Sequence, residues 1–290
     1  MLIGILKSMR PHQWIKNAFV LAPLVFASAF DQPDLVLRAL AAFLAFSLTA
    51  GGVYLFNDIV DVDKDRAHPT KRNRPVAAGR VSIPAARIAA ALALASGIGG
   101  AWTLNPATGI ALTSYLAINV AYSARLKHIA YVDLVVIATG FVIRVLAGGF
   151  ATGIAISLWL ILCTFLLALF LGLGKRRHEL LDAQTDASQT RRVLRQYQAR
   201  TLSRTMATTA LLTICAYTAY TFSEHGADVF GTAWAPLSVP FCVFGIVRFY
   251  VLTGRTDTSS SPTDRMLTDL PFMANLLAWG VLVLVWLSRR

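Results

Sequence analysis

Charge is the scarcest property of this sequence. Only 14% of its 290 residues are Asp, Glu, Lys or Arg, where a soluble globular protein carries about 25%. The deficit runs along the whole chain and excludes a water-soluble domain with a closed core. Cysteine is scarce too. Cys163, Cys215 and Cys242 have no metal-ligand spacing, which excludes a cysteine metal centre and leaves them as small buried apolar residues. No small-residue cleavage site follows the basic start, so a removed leader is not expected.

What is abundant is apolar. Hydrophobic residues make up 56% of the chain and the mean hydropathy is +0.59. Apolar runs of about 18 residues recur, the length that crosses about 30 Å of hydrocarbon as a helix. In lipid a helix satisfies its own backbone hydrogen bonds, so an all-α membrane bundle follows. The runs place nine spans near 14–30, 35–56, 84–104, 107–124, 131–150, 155–174, 203–222, 234–252 and 269–287. The first is short and interrupted by Pro23. Residues 1–290 read as a single domain.

The basic residues set the orientation. Of 27 Lys and Arg, all but Arg38, Arg144, Arg289 and Arg290 fall on one side of the nine spans. Positive residues stay inside, so the N-terminus is expected in the cytoplasm. The net charge of +12 has two causes: this bias with attraction to anionic headgroups, and an anionic substrate. Nucleic acid is not an expected partner, because no basic segment is large enough to fold as a binding domain.

The second span ends in Asn57, Asp58, Asp61, Asp63 and Asp65. If the helix continues at about 100° per residue, Asn57, Asp58, Asp61 and Asp65 share an arc of about 100° and Asp63 points elsewhere. Carboxylates at a helix C-terminus oppose the macrodipole. Clustered there, they repel unless cations join them, and hard oxygen donors on one face suit Mg²⁺ and substrate phosphates. A basic stretch follows at once, from Arg66 through Lys71, Arg72 and Arg74 to Arg80. Metal and arginine together can hold a polyphosphate.

These residues resemble the first signature of the UbiA superfamily: Asn57 and Asp58, then Asp61 and Asp65, with Arg74, Pro75 and Gly79 in the loop. A narrower set is similar to decaprenyl-phosphate phosphoribosyltransferases. It comprises Met9-Arg10-Pro11-His12-Gln13-Trp14-Ile15-Lys16-Asn17, the stretch from His68 to Pro75, Tyr122-Ser123 with Leu126-Lys127, Asp133, Gly140 to Gly149 around Arg144, and Gly174-Lys175-Arg176. The second Asp pair of many superfamily members is missing, since Ile137 stands four residues after Asp133. The resemblance implies Mg²⁺-dependent transfer of 5-phosphoribosyl from phosphoribosyl pyrophosphate to a polyprenyl phosphate, feeding arabinose-donor synthesis in arabinan-containing envelopes. It places the enzyme in the bacterial inner membrane with its site facing the cytoplasm. The expected metal ligands are Asn57, Asp58, Asp61 and Asp65, and the expected catalytic groups Asp58, Asp61, Lys127 and Asp133. Lys16, Arg72, Arg74, Tyr122, Lys127, Arg144, Lys175 and Arg176 are the expected substrate-binding set.

Asp133 and Arg144 are eleven residues apart on the fifth span, so they return to one helix face about 16 Å apart. An intramembrane Arg faces a cavity or a partner, which leaves a deep polar pocket or an internal salt bridge. The stretch from Lys175 to Asp182 reads as a lid or a solvated helix, and 253–268 as a flexible loop. Trp102, Trp159 and Trp234 read as interfacial anchors. A UbiA-type aromatic prenyltransferase, a transporter and a lipid-binding scaffold are the rival readings. Prenyl chain length and homo-oligomerisation stay open.

Overall fold

The computed structural model describes residues 1–182, 192–230, 234–254 and 262–288, and these are all helix, turn and loop. Their contacts divide the chain into two compact units. The first comprises 1–124 and 143–156, the second 125–142 and 157–290. The helix Val132–Thr152 starts in the second unit and ends in the first.

The first unit is built on the helix Pro33–Val60, packed along Ile83–Leu104. Pro33 opens the former and Pro84 stands in the first turn of the latter, where a missing N–H costs nothing. Ser82 caps the second helix, accepting from the Ala85 N–H. Small residues set the packing distance. A Cβ on Gly97 would lie 2.6 Å from the Ala45 carbonyl oxygen and 2.8 Å from the Thr49 nitrogen, so backbone meets backbone there. Ala42, Phe46, Ala50 and Val53 fill the core with Ala101, Leu112 and Tyr115. Asn105 starts the next helix, Pro106–Ala124, by accepting from the Thr108 N–H at 2.8 Å.

The second unit packs Leu158–Asp182 against Ala199–Phe222, and Val239–Leu252 against Leu270–Ser288. Leu134, Phe170, Leu173, Leu202, Met206 and Phe249 form its core. Ala199–Phe222 is rich in threonine. Thr205, Thr209 and Thr213 each donate to the carbonyl four residues back, which satisfies their hydroxyls within the helix.

Among the described residues five helices are long and apolar enough to cross a membrane: Pro33–Val60, Ile83–Leu104, Val132–Thr152, Leu158–Leu181 and Ala235–Leu252, the last opening with a 3₁₀ turn. The expected spans at 107–124, 203–222 and 269–287 are also helical. The expected span at 14–30 is not one α-helix. It folds as a 3₁₀ run, Pro11–Leu21, a short α-helix, Ala22–Phe26, and a second 3₁₀ turn, Ala29–Asp31. Pro23 lacks the amide an α ladder needs, and Ser28 turns the chain at a positive φ of 54°. Within 253–268, Pro262–Thr268 is a helix rather than loop, while 255–261 lie outside the described residues. The cysteines are not buried either. Cys215 is exposed and the other two are half-buried, Cys242 packed against the core of the second unit.

Candidate active site

In the first unit the helix Pro33–Val60 carries Asn57 and Asp58 to its C-terminal end. It does not run on unbroken. It stops at Val60, and a further turn, Val62–Arg66, begins after Asp61. The hydrogen bonds nevertheless pass through the break, Asp61 N–H to the Asn57 carbonyl and Asp65 N–H to the Asp61 carbonyl. Asp58 and Asp65 are both buried.

Two guanidiniums meet these carboxylates. Arg74 Nη1 lies 2.7 Å from Asp65 Oδ2 and 3.3 Å from Asp58 Oδ1. Arg10 Nη2 lies 2.6 Å from the same Asp58 oxygen and its guanidinium covers the Tyr54 ring at 4.8 Å. The carboxylates therefore sit where the macrodipole opposes them, and positive charge compensates. Asp61 is half-buried and pairs with Lys64 at 3.7 Å. The Asn57 Oδ1 accepts from Ser123 at 2.7 Å. Asp63 is exposed and pairs with Arg66.

Deeper in the same unit Arg144 is buried. Its Nε donates to Asn17 Oδ1 at 2.9 Å and its Nη2 to the Tyr115 hydroxyl at 3.2 Å. The rings of Phe46 and Tyr115 face its guanidinium at 4.9 and 5.1 Å, so aromatic quadrupoles share in solvating the cation. Asn17 in turn donates to Ser47 at 3.0 Å. Lys16 is exposed and donates to Gln13, which also accepts from Tyr54. Arg72 is exposed on the 3₁₀ turn Lys71–Asn73, and Tyr122 is half-buried in the last turn of Pro106–Ala124.

In the second unit Asp133 is fully buried. It accepts from Arg176 Nε at 2.9 Å and from the Tyr197 hydroxyl at 2.6 Å. Arg176 also reaches Glu179 at 2.6 Å. Burial, and then donation to Asp133, push the Tyr197 phenol well above its ordinary value and keep it protonated. Lys127 lies on the 3₁₀ turn Leu126–His128, and Lys175 is exposed. The stretch from Lys175 to Asp182 is not a solvated helix. It continues Leu158–Asp182, with Arg176 and His178 buried and Arg177 held by Ser203 and Thr253.

Asp133 and Arg144 thus have separate partners, and Asp133 finds its cation in Arg176. Arg10, Gln13, Asn17, Tyr54 and Tyr115 join the polar site without having been singled out from sequence. Arg10, Gln13 and Asn17 stand inside the amino-terminal motif, which was the available signal. Tyr115 and Tyr197 carry none, because an aromatic in an apolar chain reads as packing.

Among the described residues no three His, Cys, Asp or Glu side chains stand close enough together to hold a metal. The chemistry of the donors still fits a hard divalent ion. Asp58, Asp61, Asp65 and Asn57 offer only oxygen, and two of the carboxylates already converge on one positive group.

A model of the UbiA prenyltransferase family matches residues 18–286 and so runs through both units. The chain is 35% identical over 280 residues to the decaprenyl-phosphate phosphoribosyltransferase of Mycobacterium tuberculosis (strain CDC 1551 / Oshkosh), covering 95% of this chain and 91% of that protein. It is 34% identical to the protein of the same name from Corynebacterium glutamicum, covering 95% and 84%. Among solved structures, a UbiA homolog from Archaeoglobus fulgidus bound to DMAPP and Mg²⁺ superposes with a TM-score of 0.71 at 18% identity, covering 98% of this chain and 99% of that one. The acidic face at the end of an apolar helix, the all-helical fold and a family match across nearly the whole chain agree: this chain belongs to the UbiA prenyltransferase family.

Proposed function

We propose that this protein transfers the 5-phosphoribosyl group of phosphoribosyl pyrophosphate to a polyprenyl phosphate and releases pyrophosphate. The observation that carries the reading is the convergence of Asp58 and Asp65 on Arg74, with Arg10 beside them. A face that gathers carboxylates and guanidiniums at one helix end is built for a metal-bound polyphosphate. The names of the relatives above support the ribosyl donor and the lipid acceptor. The missing second Asp pair separates the chain from two-cluster prenyltransferases.

Asn57, Asp58, Asp61 and Asp65 would hold Mg²⁺, which when bound supplies positive charge to the departing pyrophosphate. Lys16, Arg72, Arg74 and Arg144 in the first unit are proposed to bind phosphate, with Tyr122 as a hydrogen-bonding partner, and Lys127 and Lys175 in the second unit are each proposed to do so as well. Asp133 and Arg176, buried against one another, enter as positioning residues rather than as groups that touch substrate. The bond from the ribose anomeric carbon to pyrophosphate breaks, and an oxygen of the lipid phosphate bonds to that carbon. That oxygen is already anionic, so no general base is needed. The fixed cations stabilise charge that develops on the leaving group, which is the larger part of the rate gain. The positive-inside bias of the basic residues supports a site on the cytoplasmic side, and the reading puts the enzyme in a bacterial inner membrane.

The test uses purified protein with Mg²⁺, phosphoribosyl pyrophosphate and a polyprenyl phosphate, following pyrophosphate and the phosphoribosylated lipid. Product that disappears on chelation supports the reading. Asp61→Ala is expected to lose turnover by at least about a hundredfold. Near-normal activity in that variant overturns the metal assignment. Prenylation of an aromatic acceptor, with no ribosylated lipid, overturns the substrates.

A further inference from the structure

The connection Arg125–Tyr131 is held by side chains from far along the chain. Gln196 Oε1 accepts from the Ala130 N–H at 3.2 Å, and Gln196 Nε2 donates to the His128 carbonyl at 3.0 Å. One carboxamide therefore satisfies both a backbone donor and a backbone acceptor, as a neighbouring strand would. The next residue repeats the pattern. The Tyr197 hydroxyl accepts from the Tyr131 N–H at 2.8 Å and donates to Asp133 at 2.6 Å. The two tyrosine rings meet edge to face, with centroids 4.8 Å apart.

Tyr131 has a φ of 65°. A bulky side chain rarely adopts the left-handed region, and it persists there only where surrounding contacts dictate it. Those contacts come from Gln196 and Tyr197, and Arg176 completes them by fixing Asp133 from the other side. Lys127 stands one residue before the carbonyl that Gln196 holds. The turn closes hydrogen bonds of its own, from the His128 N–H to the Arg125 carbonyl and from the Ile129 N–H to the Leu126 carbonyl, and the side chains of Gln196 and Tyr197 fix it and the residues after it to the rest of the unit.

We infer that Gln196 and Tyr197 form a clamp that fixes the Lys127 turn, and that both are positioning residues for phosphate binding by that lysine. The inference rests on the reading that Lys127 contacts the phosphoribosyl donor. Gln196 is exposed, so altering it disturbs no core. Arg176 and Tyr197 are buried, and their part is to anchor the clamp.

The experiment uses full-length protein in detergent micelles, with Gln196→Ala and Tyr197→Phe. Without substrate, amide exchange across 126–131 is expected to quicken about tenfold in both variants, with that of Pro33–Val60 unchanged. With substrates, KM for phosphoribosyl pyrophosphate should rise about fivefold and kcat stay within about twofold. In a Lys127→Ala background, Gln196→Ala should add less than about twofold to the KM, because the lysine it positions is gone. Unchanged exchange in both variants overturns the clamp. Faster exchange with unaltered KM, or Gln196→Ala effects that multiply fully with Lys127→Ala, overturns the link to the lysine. Wild type that exchanges slowly here but does not turn over phosphoribosyl pyrophosphate overturns the substrate reading instead, and the exchange result still decides the clamp.

Discussion

Replacing Arg74 by alanine takes away a guanidinium that reaches both Asp58 and Asp65. Those two side chains are 2% and 4% exposed, and that of Arg74 is 30% exposed. Leaving a buried charge without its partner costs about 3–5 kcal/mol. Here Asp58 keeps Arg10 at 2.6 Å, and the exposed part of Arg74 was partly screened already. The expected loss is therefore nearer about 2–3 kcal/mol. Arg74→Lys keeps the charge without the planar fork and should lose about 1 kcal/mol. Adding Asp65→Asn to Arg74→Ala removes the uncompensated charge, so the double variant should be more stable than Arg74→Ala alone. Mg²⁺ should stabilise Arg74→Ala more than wild type, because the freed carboxylates no longer have an arginine to displace. At a hundred times its Kd, an ion bound only by the folded state adds about 2.7 kcal/mol. Denaturant titration of the protein in micelles, followed by tryptophan fluorescence, measures each quantity. An Arg74→Ala variant within about 0.5 kcal/mol of wild type would refute the electrostatic argument. Equal stabilisation of both proteins by Mg²⁺ would refute competition between metal and arginine for these carboxylates.

Four further outcomes follow from the packing, one ion pair and the buried phenol. A Cβ on Gly148 would overlap the Val20 carbonyl oxygen, so Gly148→Ala should cost at least about 3 kcal/mol. Gly79→Ala meets open space and bears only its positive φ, so it should cost about 1 kcal/mol in the same titration. Arg248 grips Asp269 with two hydrogen bonds, and Asp269 also accepts from the Phe272 N–H at the start of Leu270–Ser288. Asp269→Ala loses pair and cap together and should cost about 2 kcal/mol, against about 1 for Arg248→Lys. The Tyr197 phenol is raised above its ordinary value, so the folded state holds that proton more tightly than the unfolded one. Its contribution to stability is complete below about pH 10 and is lost as the pH rises beyond it. The thermal midpoint should fall above that pH, and the fall should be shallower in Tyr197→Phe.

The apolar runs determined the membrane helices, because a helix in lipid needs only its own backbone and enough length. The motif from Asn57 to Asp65 was legible as a pattern, and across the break at Asp61 it brings Asp58 and Asp65 onto one arginine, while Asp61 itself pairs with Lys64. Proline positions were visible too, but not their consequence, the 3₁₀ path of 11–21, since that depends on what the segment packs against. Partnership was decided by the tertiary structure alone. Helical spacing put Asp133 and Arg144 on one face, yet Asp133 takes Arg176 and Tyr197, and Arg144 takes Asn17 and Tyr115. Arg10 joins Asp58 across 48 residues, and Gln196 reaches Ala130 across 66. A buried charge takes whichever compensating group the packing brings within about 3 Å, and separation along the chain carries no information about that distance.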